Sequence, residues 1–210
     1  MPSETVPSPR VAPGNPLDRV LPATADGPLV VFLGDSLTAG LGVGEAEAFP
    51  EQVRLGLAAE GIGVRVVNAG ISGDTTAGGL ARLDWVLRQE PEILVVGLGA
   101  NDGLRGLAVE ESEANLRAIV ENAGRSGARV LLLGMMLPPN YGPDYTTAFQ
   151  EIFPRLAREL ETPLVPFLLA DVAGLPELNQ ADGIHPTAAG HRVLAENVLP
   201  QLRAMLQPDR

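Results

Sequence analysis

Short apolar runs alternate with longer amphipathic stretches along most of this chain. The runs are PLVVFL at 28–33, VRVV at 64–67, EILVVGL at 92–98, RVLLLG at 129–134 and PLVPFLL at 163–169. Runs rich in Val, Leu and Ile and bounded by Gly or Pro suit strands buried on both faces. The stretches between them carry helical spacing. In 46–60, Phe49, Val53, Leu55 and Leu57 fall among Glu51, Gln52 and Arg54. In 75–89, Leu80, Leu83, Val86 and Leu87 fall among Arg82, Asp84 and Arg88, and 110–126 repeats the pattern with Leu116, Ile119 and Val120. Residues 147–160 and 187–206 complete the set. Five strands alternating with five helices predict parallel βαβ crossovers. The expected fold is an α/β one, a three-layer α/β/α sandwich around a five-stranded parallel sheet.

Residues 1–27 break this pattern. They hold six prolines and little periodicity, so they are expected to form a flexible or extended arm ahead of a single domain over 28–210. The arm has no apolar core of a signal peptide, which gives a cytoplasmic expectation, with a periplasmic or secreted location as the alternative. No apolar run reaches the ~18–20 residues of a membrane span.

Charge and composition narrow the chemistry. The chain has 15 basic and 26 acidic residues, a net charge of −11, which argues against a basic field for nucleic acid or anionic lipid. Every basic residue is arginine, so lysine Schiff-base and P-loop chemistry are excluded. The absence of cysteine excludes disulfides, zinc–thiolate sites and thiol nucleophiles. No cluster suggests a metal or an organic cofactor.

In a parallel α/β sheet, ligands bind at the carboxyl ends of the strands. The segments there are GDSLTAG at 34–40, NAGISGDTT at 68–76, GANDGLRG at 99–106, MMLPPNYGPDY at 135–145 and the loop 169–186. A histidine base is His185, in a loop, or His191, about two turns into the last predicted helix. Asp182 lies three residues before His185, and a turn at Gly183 brings its carboxylate to the imidazole as the third member of a triad would lie. The same segment also reads as a helix entry with Pro186 at the first helical position. Of six serines, Ser3 and Ser8 lie in the arm, and Ser112 and Ser126 lie near the ends of a predicted helix. Ser36 and Ser72 follow strands. Ser72, in G-I-S-G-D-T, reads equally well as a strand-end candidate and as the lead into a helix capped by Asp74 or Thr75. Ser36, in G-D-S-L, sits where a nucleophile is exposed at a strand end, or equally where a serine forms a turn or cap; the segment does not match the G-x-S-x-G elbow. Asn101, the Gly73 N–H and the Ser36 N–H are candidate donors to an oxyanion. Asp35 and Asp102 read as loop ties to backbone N–H groups. Arg105 is either solvated or a contact for an anionic substrate group.

In this order the segments resemble the four blocks of the SGNH hydrolases, the GDSL esterase/lipase family. The blocks are GDSLTAG with Ser36, the segment holding Gly73, GAND with Asn101, and DGIHP with Asp182 and His185. Over residues 29–206 the chain is most similar to the bacterial acyl-CoA thioesterase I/lysophospholipase L1/arylesterase branch. The resemblance implies a flavodoxin-like fold and a serine esterase acting through an acyl-enzyme, with Ser36, His185 and Asp182 as triad. Ser36, Gly73 and Asn101 would be the oxyanion donors, and no cofactor would be needed. It also implies a small acyl ester or thioester as partner, no nucleic acid, no stable membrane insertion, and a monomer or weak homo-oligomer. Leu137 and Pro138 would line the acyl groove, and the apolar composition of 135–145 adds Tyr141. The alternatives are a carbohydrate O-acetylesterase on the same fold, a non-catalytic flavodoxin-like binding module and a peptidase side activity.

Overall fold

The computed structural model describes residues 27–207. The arm expected over 1–27 therefore lies outside the described residues except for Gly27. The strands are β1 (Leu29–Gly34), β2 (Arg65–Gly70), β3 (Ile93–Gly97), β4 (Arg129–Leu133) and β5 (Leu164–Val165). These five strands pair in parallel, in the order β2-β1-β3-β4-β5. All residues of β1 and β3 are buried, which is why their sequences read as continuous apolar runs rather than alternations.

Helices cover both faces. On one, α2 (Phe49–Ala59) packs against α9 (Ala188–Leu206). On the other, α6 (Val109–Arg125) packs against α3 (Thr76–Ala81) and α8 (Ile152–Glu159). The core between these layers is filled by β-branched and leucine side chains of the sheet, with Phe32, Phe49, Phe149 and Phe153 fully buried. This is the three-layer sandwich expected from the alternation.

Several predicted boundaries move. The stretch 75–89 divides at Arg82 into α3 and α4 (Leu83–Leu87), and 147–160 divides at Glu151 into α7 (Pro143–Gln150) and α8. The stretch 46–60 begins as a 3₁₀ turn at Glu45–Glu47 before α2 starts beside Pro50. The run at 163–169 supplies a strand of only two residues. Pro163 and Pro166 flank that strand and have no N–H to give to a ladder. Pro186 is not the first helical residue. Thr187 caps α9 instead, its hydroxyl accepting the Gly190 N–H at 3.3 Å. His191 accordingly lies in the first turn of α9 rather than two turns in.

The strand order reverses direction between β1 and β3. Segments leaving the carboxyl ends of these two neighbours run to opposite sides and leave a crevice, which is where α/β sheets bind ligands. Two short helices that the hydrophobic pattern did not show begin there: α1 (Ser36–Ala39) directly after β1 and α5 (Ala100–Leu104) after β3. The close approach of α1 to the end of β2 requires glycine. A Cβ on Gly70 would fall 2.2 Å from the Ala39 nitrogen.

Candidate active site

Ser36 is the first residue of α1, so its N–H is one of the donors a helix leaves without an internal partner. Asp35 caps the helix, its Oδ1 accepting the Leu37 N–H at 3.0 Å. Asp35 is buried, and desolvation pushes its carboxyl up to about 7 despite the Leu37 hydrogen bond and the proximity of His185. The Ser36 Oγ lies 3.0 Å from His185 Nε2, although 149 residues separate the two in sequence.

The loop carrying His185 is built around Asp182. Its Oδ1 accepts the N–H groups of Ile184 and His185, both at 3.0 Å, while Oδ2 lies 2.7 Å from His185 Nδ1. Gly183 takes φ +74° at the turn. A carboxylate only accepts, so the short contact assigns the imidazole proton to Nδ1 and leaves Nε2 to accept from Ser36. The His185 hydrogen bond, with the two backbone donors, holds the Asp182 carboxyl down at about 2. Gln180 fastens this loop across the site. Its Nε2 donates to the Leu41 carbonyl at 2.7 Å and to the Pro186 carbonyl at 2.9 Å.

Asn101 lies on α5, one strand over. Its Nδ2 donates to the Asp74 carbonyl at 2.9 Å and lies 3.4 Å from Asp35 Oδ2. Gly73 precedes Asp74 in the turn after β2, at φ +81°, a conformation that a side chain would strain. Among the described residues neither the Gly73 nor the Ser36 N–H donates a hydrogen bond, so both are available to a ligand. Arg105 is exposed to solvent, as one of its two readings expects. It donates to the Gly73 carbonyl at 2.9 Å and so fastens that turn to α5. Asp102 is a loop tie, its Oδ2 accepting the Thr76 N–H at 2.9 Å and its Oδ1 the Thr76 hydroxyl at 2.6 Å. Thr75, one of the two expected caps, closes α3 by accepting the Gly78 N–H.

One residue was not singled out by sequence reasoning. Arg82 reads as part of a polar helix face, yet its side chain points into the site's frame. Its Nε donates to Asp74 Oδ2 at 2.8 Å, and its terminal nitrogens donate to the Ala69 carbonyl at 2.6 Å and the Gly34 carbonyl at 3.0 Å. One guanidinium thus joins the carboxyl ends of β1 and β2 to the residue whose carbonyl holds Asn101. A signal was present in the sequence: Arg82 is preceded by Asp74 eight residues back, both close to glycine-rich turns, but no helical spacing pairs them.

The Ser36–His185 pair opens onto a cavity of about 530 Å³. Its polar lining is Ser36, Asn101, Asn179 and His185, and its walls include Leu104, Met136, Leu137, Pro138 and Ile184. Of the three groove candidates, Leu137 and Pro138 are in the wall. Tyr141 is not; its hydroxyl donates to the Leu104 carbonyl at 3.0 Å and braces the loop from behind. His191 lies away from this cavity, buried beside Phe49 under α2. Ser72 and Gly73 also lie outside the cavity wall.

The chain is similar to known proteins over most of its length. Residues 32–193 match the model of the GDSL-like Lipase/Acylhydrolase family. The chain is 47% identical to Esterase TesA of Pseudomonas aeruginosa over 178 residues, 84% of this chain and 89% of that one. It is 40% identical to Thioesterase 1/protease 1/lysophospholipase L1 of Escherichia coli over 181 residues, 86% of each chain. The crystal structure of TesA superimposes with a TM-score of 0.82 at 47% identity, covering 85% of this chain and 99% of that one. With a family match over most of its length and relatives this similar, the chain belongs to the GDSL-like lipase/acylhydrolase family.

Proposed function

We propose that this carboxylic-ester hydrolase cleaves acyl esters and thioesters with Ser36 as nucleophile, His185 as base and Asp182 as the group that orients His185. The observation that supports these roles best is the 3.0 Å contact between Ser36 Oγ and His185 Nε2, continued by the 2.7 Å contact from Nδ1 to Asp182, at the edge of an apolar cavity.

In this mechanism an acyl chain lies along Leu137 and Pro138, each buried CH₂ contributing about 0.8 kcal/mol. Ser36 Oγ attacks the carbonyl carbon while its proton passes to His185 Nε2. Asp182 stabilises the resulting imidazolium from the Nδ1 side. Negative charge collects on the former carbonyl oxygen, where the N–H groups of Ser36 and Gly73 and the Asn101 amide donate to it. The tetrahedral intermediate collapses, the bond to the leaving oxygen or sulfur breaks, and His185 returns the proton to that atom. Water then attacks the acyl-Ser36 ester with His185 again as base, and the acid leaves with Ser36 restored.

The decisive experiment compares wild type and Ser36→Ala on p-nitrophenyl esters from acetyl to dodecanoyl. Turnover by wild type alone, rising beyond acetyl, is the expected result. Equal rates in the two proteins would remove Ser36 from the mechanism. A peak at acetyl would favour a carbohydrate O-acetylesterase, which the apolar cavity wall argues against.

A further inference from the structure

Among the described residues, six large hydrophobic side chains are exposed: Leu41, Leu55, Leu107, Met136, Leu175 and Ile184. Scattered singly they would need no explanation, but five of the six lie on segments that leave the carboxyl ends of the strands. Leu41 follows α1, Leu107 follows α5, Met136 follows β4, and Leu175 and Ile184 follow β5. Only Leu55, on α2, lies elsewhere. Each is connected to the cavity lining, Leu107 by following α5, which carries the lining residues Asn101 and Leu104. Met136 and Ile184 are in its walls, Leu175 follows the lining residue Gly174, and the Leu41 carbonyl is held by Gln180 next to the His185 loop.

The charge of the same face is one-sided. The connecting segments 35–48, 71–75, 98–108, 134–142 and 166–187 contain a single cation, Arg105, and its guanidinium is tied to the Gly73 carbonyl. Exposed carboxylates flank the apolar side chains at Asp171, Glu177 and Asp182. Such a rim repels an anionic surface and suits one whose outermost groups are cationic, as the trimethylammonium of a phosphocholine headgroup is. We propose that the five side chains form a docking face for zwitterionic phosphocholine lipid aggregates, micelles or bilayers, so that an acyl chain passes from the aggregate into the cavity without crossing water. This rests on the acyl-ester reading above and adds to it the physical state of one substrate class.

The test uses the full chain carrying Ser36→Ala, so that no lipid is consumed, in flotation with dioleoylphosphatidylcholine or dioleoylphosphatidylglycerol vesicles. Binding to phosphatidylcholine is expected, with weaker binding to phosphatidylglycerol. The combined substitution Leu41→Gln, Leu107→Gln and Leu175→Gln should reduce phosphatidylcholine binding about tenfold or more, while Leu55→Gln leaves it unchanged. With Ser36 intact, the triple variant should keep its rate on p-nitrophenyl butyrate within about twofold, which separates lost docking from lost folding. No binding to phosphatidylcholine vesicles, equal binding by the triple variant, or preference for the anionic vesicles would each overturn the proposal. So would a dimer in sedimentation that the triple substitution dissolves, since a second copy would then be the occupant. Failure of the wild type to hydrolyse the soluble ester would instead sink the acyl-ester reading, and flotation would still decide the docking face.

Discussion

Asp182 Oδ2 and His185 Nδ1 lie 2.7 Å apart across a turn of three residues, with Asp182 Oδ1 simultaneously accepting the two backbone N–H groups that complete the turn. The carboxylate therefore orients the imidazole and builds the loop that carries it. Asp182→Asn keeps the shape but turns an acceptor into a donor at either Oδ1 or Oδ2. In a protease triad the same change costs about 10⁴ in kcat. The Asp182 side chain is 46% exposed, and solvent screens its charge, so a loss of about 10²–10⁴ is expected. The check is steady-state hydrolysis of p-nitrophenyl butyrate. An Asp182→Asn rate within threefold of wild type would remove it from the triad.

The same geometry sets a pH dependence. The folded-state carboxyl titrates near 2, below its ordinary value of 3.8, so its contribution is present above about 4 and lost as pH falls toward 2. Asp182 thus stays ionised across the working range, and an acid limb in kcat/KM above pH 5 is not its titration. In Asp182→Asn that limb should persist at lower amplitude rather than disappear; its disappearance would assign the limb to Asp182.

Asn101 holds its amide between the Asp74 carbonyl and the space beside Ser36. Asn101→Ala removes a donor to the developing oxyanion and should lower kcat about 10²–10³-fold with little change in KM. Full kcat in this variant would leave the oxyanion to the two backbone N–H groups alone.

Arg82 acts on the same atoms at one remove. Its pair with Asp74 is only 11% exposed on each side, so its hydrogen bonds are largely shielded from water. Lysine keeps the charge but cannot reach Asp74, Ala69 and Gly34 together. Arg82→Lys is therefore expected to lower kcat about 10–100-fold while KM for a short ester holds within about threefold, because a misplaced donor is felt in the transition state more than in binding. A parallel rise in KM and fall in thermal stability with kcat unchanged would mark Arg82 as structural only.

The contrast between Arg82 and Ser36 shows what was legible in the sequence. Ser36, Asn101, Asp182 and His185 each sit in a short segment at a strand end, and once the strand runs place those ends together, local sequence is enough to propose them. Arg82 works through contacts 8, 13 and 48 residues away, and no local pattern encodes them. Tyr141 fails in the opposite sense. Its apolar loop was visible, but which side of the loop faces the cavity depends on its bond to the Leu104 carbonyl. The short α1 and α5 escaped because four or five residues are too few to show helical periodicity. The sheet was legible because full burial writes itself as unbroken runs. β5 was overdrawn because its run continues through Pro166 into buried Leu168, which is apolar for packing rather than for pairing.

Two buried groups outside the triad give opposite pH slopes to stability. His191 is 1% exposed; its Nδ1 accepts the Phe49 N–H at 3.3 Å, and its Nε2 has no partner among the described residues. Desolvation lowers its pKa from 6.5 to about 4, so between those values the unfolded chain binds the proton and the folded one does not. Its contribution is complete above 6.5 and is lost as pH falls toward 4. Asp35 runs the other way. Its folded-state pKa of about 7 lies above the ordinary 3.8, so over that interval the folded protein holds a proton that the unfolded chain has released. Its contribution is present below 3.8 and is lost as pH rises toward 7. Each slope is about 1.4 kcal/mol per pH unit, and from about pH 4 to 6.5 the two oppose each other. Chemical denaturation of wild type should therefore show little net dependence from this pair. His191→Gln, whose amide oxygen can still accept the Phe49 N–H, should become less stable as pH rises through that window. Asp35→Asn should become more stable over the same window. Parallel pH profiles for the wild type and both variants would mean that neither group is held in its uncharged form by burial.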